Sequence, residues 1–162
     1  MKKFLIFLSF LALLPFSFSF KPEFLELTQI HQVIFSNIDY CVYSLGVVHS
    51  NQKSYTIIDN GSSVILKGDI NYAKKMKENA KNIMGESITF RGLKSGVKSI
   101  LNFYNLKQLK YEEFDNIISI YGYSDKLCSK NNIIIDNNKV NMQIVFNDGF
   151  ITVGTPIILG EY

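Results

Sequence analysis

The sequence contains no tryptophan, a single arginine (Arg91), two histidines and two cysteines in 162 residues. Each scarcity excludes something. Nucleic-acid binding rests on concentrated Lys and Arg that displace counterions from phosphates, and one arginine among scattered lysines does not supply that concentration. Acyl transfer needs a nucleophile beside a base and a group that orients the base. His31 and His49 are the only histidines, and neither stands in a strand-to-helix turn beside a Ser or Cys. Neither has a carboxylate or thiol at ligand spacing, so no metal and no other cofactor is expected. The acids Glu112, Glu113 and Asp115 precede an apolar run and read as a solvated polar turn, not as an acid-base pair. Cys41 and Cys128 allow one disulfide, the alternative being a buried thiol that acts as a small hydrophobe.

What is abundant lies first at the N-terminus. Met1-Lys2-Lys3 is followed by an apolar run from Phe4 to Leu14, broken only by Ser9, and then by Pro15-Phe16-Ser17-Phe18-Ser19-Phe20. A charged start, a short apolar stretch and a helix breaker leading to small residues form an export signal with cleavage after Ser19. An uncleaved anchor over Phe4 to Phe20 is the alternative reading, and the absence of a cysteine near the cleavage point excludes a lipoprotein. The protein is therefore expected outside the cytoplasm, secreted or held at the outer face of the membrane through that segment alone. Seventeen basic side chains less Lys2 and Lys3 leave fifteen against fourteen acidic ones, so the formal charge of +3 falls to +1. The remaining 143 residues (162 less 19) make one domain, 20–162.

Periodicity supplies the elements. Pro22, Glu23 and Glu26 open a helix that continues through Leu27, Ile30 and Ile34 to Phe35. From Tyr40, alternation predicts a strand with Cys41, Tyr43, Leu45 and Val47 on one side. Tyr55–Ile58 and Ser63–Leu66 form a hairpin through Asp59-Asn60-Gly61, where Asn-Gly supplies positive backbone angles. That turn explains Asn60-Gly61-Ser62 better than a glycosylation acceptor does. Asp69 caps a second helix with Ile70, Ala73, Met76, Ala80 and Ile83 on one face, ended by Gly85, while Lys74, Lys75, Lys77 and Lys81 form a solvated face.

Glu86–Arg91 alternates again, and a third helix spans Ser95–Leu106 with Val97, Ile100, Leu101 and Tyr104 inward. Gly92-Leu93-Lys94-Ser95-Gly96 lacks the ending a phosphate loop requires. The last third predicts a meander of Asn116–Tyr123, Ile133–Asp136, Val140–Phe146 and Phe150–Ile157, turning at Asn137-Asn138 and Asp148-Gly149. In it Val140, Met142, Ile144 and Phe146 face the core, and Asn141, Gln143 and Asn147 face water. Helices early and adjacent strands late give an α+β, two-layer fold with helices on one side of an antiparallel sheet.

The terminal run Ile151-Thr152-Val153-Gly154-Thr155-Pro156-Ile157, with Glu161-Tyr162 after it, resembles the C-terminus of the YwmB-like proteins of low-G+C Gram-positive bacteria. Ile118-Ser119-Ile120, Tyr123-Ser124-Asp125 and Val140 to Ile144 are also similar, and Asp69 to Leu106 more loosely, so the resemblance covers 69–162. It implies an exported protein with a curved antiparallel sheet backed by two to three helices, like the TATA-box-binding protein. Because 20–68 is too short for a full copy of the half-saddle, an abbreviated version is expected. Fold likeness does not carry DNA binding to an exported, nearly neutral chain.

The functional expectation is a non-catalytic binding module that uses the open sheet face to meet an envelope protein or glycan, with no nucleic-acid partner. Tyr121 and Tyr123, alternating away from Ile118 and Ile120, are expected to line an accessible concavity. Thr152, Gly154, Glu161 and Tyr162 form a second candidate contact surface, the structural alternative being that Gly154 lets the strand pack closely against a helix. The rival is a small exported enzyme with a pocket converging on Asp125, Glu161 or His49. A third reading is a structural or sporulation-associated envelope factor.

Overall fold

Alternating apolar residues dominate the chain from Ile38 onward, and they build the sheet. The structure, a computed structural model, describes residues 26–32, 37–48, 53–127 and 132–159. A 3-10 helix, Leu27–Gln32, precedes β1 (Ile38–Val47), β2 (Thr56–Asp59) and β3 (Val64–Asp69). A 3-10 turn, Ile70–Tyr72, leads into α1 (Ala73–Asn79), β4 (Ala80–Arg91) and α2 (Lys94–Tyr104). There follow β5 (Lys107–Phe114), β6 (Ile117–Tyr123), β7 (Ile133–Ile135), β8 (Asn138–Val140), β9 (Met142–Asn147) and β10 (Phe150–Thr155).

Eight strands form one antiparallel sheet in the order β2-β3-β1-β4-β10-β9-β6-β5, and β7 and β8 pair separately as a two-stranded ribbon. The α+β class holds, with two α-helices and one large antiparallel sheet. The two halves meet at the β4–β10 ladder. Their connectivities differ, 2-3-1-4 on one side and a simple 5-6-9-10 run on the other, so the sheet is not one unit repeated.

One face of the sheet carries the core. Tyr40, Val42, Leu66, Ile88, Ile151, Val153, Met142 and Ile144 pack against Leu27, Ile30, Met76, Val97, Ile100 and Tyr104 from the helical layer. At roughly 25 cal/mol per Å² of apolar surface removed from water, this face is the main source of stability. Its polar groups are paired. The Tyr40 hydroxyl donates to Glu86 Oε2, and Lys77 Nζ lies 2.8 Å from the same oxygen and 3.5 Å from Glu26 Oε2. Tyr104 Oη donates to Leu27 O at 2.9 Å, tying α2 to the first helical turn.

Several expectations are corrected. The second helix stops at Asn79, and Ala80 to Ile83 already belong to β4, where Ile83 is 38% exposed. Pairing with β1 outweighs the helical spacing of Ala80 and Ile83: Gly46 opposes Lys81 and Val47 opposes Ala80. The register shifts between Tyr43, which opposes Gly85, and Ser44, which opposes Ile83, and Asn82 next along the strand has φ 53°. Lys77 is not on a wholly solvated face, because it turns inward to Glu86. In the 59–64 connection only Gly61 has positive φ; Asn60 N–H donates to Ser63 O at 2.9 Å, giving a longer loop than a two-residue turn. The β7–β8 turn falls on Asp136-Asn137, both at positive φ, one residue before the expected pair, whereas Asp148-Gly149 turns as expected.

Two corrections concern polar residues. Of the three acids only Asp115 lies in a turn, at φ 52°, whereas Glu112 and Glu113 belong to the edge strand β5, which splits them between faces: Glu113 opposes core-facing Ile118, and Glu112 opposes Ser119. Asn141 and Gln143, expected in water, are 1% and 4% exposed. Asn141 replaces a missing strand partner: its Oδ1 accepts from Ser124 N–H and its Nδ2 donates to Ser124 O, both at 2.8 Å. The expected helix over 22–35 is described only for 26–32, and Cys128, His49, Glu161, Tyr162 and the Phe4–Phe20 segment lie outside the described residues. Among the described residues no helix is long and apolar enough to cross a membrane.

Candidate functional site

The face of the sheet opposite the helices is built from the alternate residues of the same strands, and register alone determines who meets whom. One cross-strand row runs Asp39 (β1), Thr89 (β4), Thr152 (β10), Val145 (β9). The next runs Lys67 (β3), Cys41 (β1), Ser87 (β4), Gly154 (β10), Gln143 (β9). From these two rows Asp39, Thr89, Thr152, Lys67, Cys41 and Ser87 floor a depression of about 370 Å³, flanked by Tyr43 on one side and by Asn147, Asp148 and Phe150 at the β9–β10 turn on the other.

The floor is lined with hydroxyls. Thr89 Oγ1 and Thr152 Oγ1 share a hydrogen bond at 3.1 Å, as do Tyr43 Oη and Ser87 Oγ. Each oxygen keeps unused donor or acceptor capacity, since a hydroxyl has one proton and two lone pairs. Cys41 carries a free thiol. Burial pushes that thiol above its ordinary value, an effect opposed by the nearby Lys67 cation and by hydrogen bonds to Ser87 and Tyr43. Burial likewise raises Tyr43, with its Ser87 bond acting the other way. Both groups are therefore protonated at neutral pH, and the site is polar without a concentrated charge. Of the charged lining residues Asp39 and Asp148 are acidic and Lys67 is basic, and the single arginine, Arg91, stands 5.2 Å over the Phe150 ring at the rim.

One end of the depression is closed by the chain itself. After β10 the segment 156–159 folds back over the sheet: Ile158 N–H donates to Gln143 Oε1 at 3.0 Å, and Gln143 Nε2 donates to Ser119 Oγ at 3.1 Å. Two glycines make the passage possible. A Cβ on Gly154 would sit 2.6 Å from Ile158 N, and one on Gly85 would sit 2.8 Å from Thr155 O. Gly154 was expected to permit close packing against a helix; it admits this return segment instead.

The sequence-predicted residues are thus distributed. Thr152 lies in the floor, and Gly154 lies under the returning segment. Tyr121 and Tyr123 are half-buried on the open face, opposite Gln143 and Lys107 respectively, and are not among the residues lining the depression. Asp125 is exposed in the turn after β6, and His49 and Glu161 are outside the described residues. Reading by motif missed Asp39, Cys41, Tyr43, Ser87 and Thr89 as a group, because β1 and β4 are far apart in sequence. The alternation of Asp39, Cys41 and Tyr43 against core-facing Tyr40 and Val42 was the available signal. Among the described residues no three of His, Cys, Asp and Glu are grouped as a metal site.

No protein-family profile, characterised protein or solved structure matches this sequence.

Proposed function

We propose that this chain is an exported, non-catalytic envelope protein that holds a carbohydrate chain in the open-face depression. The observation that carries the reading is the lining itself. Tyr43, Ser87, Thr89 and Thr152 offer hydroxyls, Asn147 offers an amide, and Phe150 presents a partly exposed ring at the rim. A few fixed polar groups beside an aromatic surface suit a neutral ligand rich in hydroxyls, while an anionic polymer would need clustered cations. The size of the depression matches one or two sugar residues, within the range of small ligand sites.

Export is read from the N-terminal pattern, and the resemblance of 69–162 to the YwmB-like proteins supports both the location and an abbreviated sheet-and-helix architecture like that of the TATA-box-binding protein. In this reading the sheet face opposite the helices serves as a ligand surface, and nucleic acid is not the partner.

The test is calorimetric binding of soluble glycan fragments released from cell wall by a muramidase. Tyr43→Phe and Thr152→Val each remove one hydroxyl and are expected to weaken binding about 3–10-fold, the equivalent of one hydrogen bond. The Tyr121→Ala, Tyr123→Ala pair, outside the depression, is expected to bind as the parent does. Undiminished affinity in a combined Tyr43→Phe, Thr152→Val variant would remove this site from the reading.

A further inference from the structure

β5 and β2 are the two edges of the large sheet. β5 is the longer edge, eight residues without proline and with every side chain exposed or half-exposed. Such an edge is a template for another strand. Its charges are ordered along the chain, with Lys107 and Lys110 in the first half and Glu112 and Glu113 in the second. Reversing the direction of this strand therefore places acid against base. The exposed apolar groups on it are Tyr111, at 47%, and Phe114, at 75%.

We propose that two copies of this chain join through β5, antiparallel, about a two-fold axis at Tyr111, to make one continuous sheet. Register chooses the axis. A two-fold axis perpendicular to the sheet keeps both helical layers on the same side, so each residue meets one that points to its own face. Lys110 and Glu112 oppose Tyr121 and Ser119 of β6 and lie on the open face; Tyr111 opposes Ile120 and lies on the helical side. An axis at Lys110 sets Lys110 against itself, and an axis at Glu112 sets Glu112 against itself. At Tyr111, Lys110 of each copy meets Glu112 of the other, and the two Tyr111 rings face each other across the axis.

The existing contacts agree with this arrangement. Lys110 Nζ already lies 2.9 Å from Glu112 Oε1 within the strand and 3.6 Å from Asp136 Oδ2 at the β7–β8 turn, so around the axis each lysine stands between the Glu112 of its own copy and that of the other, with Asp136 beside it. The irregularity between Gln108 and Lys110 confines the regular contact to the part of β5 that carries these charges. β2, with four residues, gives the other edge less backbone to pair. A β5-to-β2 contact would be head-to-tail and leads to a ring or an open filament, whereas β5 to β5 closes as a dimer.

The test is sedimentation of the full chain, kept in mild detergent because of its apolar start. The parent is expected to show a concentration-dependent dimer. Lys110→Glu and Glu112→Lys, each alone, set like charges together and are expected to weaken association at least about tenfold. An equal mixture of the two variants restores Glu against Lys at both positions and is expected to form the heterodimer with near-parental affinity. A parent that stays monomeric, single variants that associate like the parent, or a mixture that fails to dimerise each overturns the proposal. None of these substitutions touches the depression, so glycan binding is expected to be unchanged in all of them.

Discussion

Replacing Gly154 with alanine tests the central packing feature of the open face. A Cβ at this position would sit 2.6 Å from Ile158 N, 2.7 Å from Ile157 C and 2.8 Å from Ile157 O. All three are backbone atoms, so no flexible side chain can swing aside, and the return segment must lift. Overpacking of this kind costs about 1–3 kcal/mol. Lifting the segment also breaks the bond from Ile158 N–H to Gln143 Oε1 and leaves a buried amide oxygen short of its donor, for roughly 1 kcal/mol more. Alanine in a strand regains about 0.5 kcal/mol over glycine. The net expectation is a loss of about 1.5–3.5 kcal/mol, on the order of 10 °C in Tm for a chain of this size. Gly46→Ala is the matched control: nothing lies within 4 Å of its added Cβ and its φ is not positive, so it is expected to be neutral or slightly stabilising. Urea unfolding of both variants reads the difference. A Gly154→Ala protein within about 0.5 kcal/mol of the parent, or a Gly46→Ala protein that loses as much, would refute the reasoning.

Two further outcomes are expected. Burial first, and then the adjacent Glu86 carboxylate, hold the Tyr40 phenol above its ordinary value of 10.0, and burial does the same for Tyr104. A phenol whose folded value is raised contributes stability that is intact below about pH 10 and is lost as the pH rises past the unfolded value, at up to about 1.4 kcal/mol per pH unit for each group. Urea midpoints followed from about pH 8 to 12 are therefore expected to fall above that point, and less steeply in Tyr40→Phe; an unchanged slope in that variant would count against the assignment. For Cys41, burial raises the thiol and Lys67 lowers it, so in a Cys128→Ser background its alkylation near neutral pH is expected to be slower than that of a free cysteine, and slower again in Lys67→Ala. Faster labelling in the lysine variant would contradict the electrostatic account.

Legibility from sequence followed the strength of the periodic signal. α2 was readable because Val97, Ile100 and Tyr104 recur at helical spacing, and all three are buried. β9 and β10 were readable because Asp148-Gly149 turns the chain between alternating strands. β5 was not, because Lys-Gln-Leu-Lys-Tyr-Glu-Glu-Phe has no alternation; an edge strand buries little and needs none. The start of β4 was misread because Ala80 and Ile83 also fit the face of α1, and local spacing does not register a partner strand some 35 residues away in sequence.

The site divides along the same line. The sequence by itself determined the α+β class, the near-neutral charge of the chain beyond Ser19, and the alternation that puts Cys41 and Tyr43 on one side of β1, though not which side is the core. Those properties are composition and period, which each stretch of chain expresses alone. Only the tertiary structure decided that Thr89 meets Thr152, that Ser87 lies between Cys41 and Gly154, and that 156–159 closes over two glycines. These are matters of register between strands distant in the chain, set by the simultaneous burial of one whole sheet face.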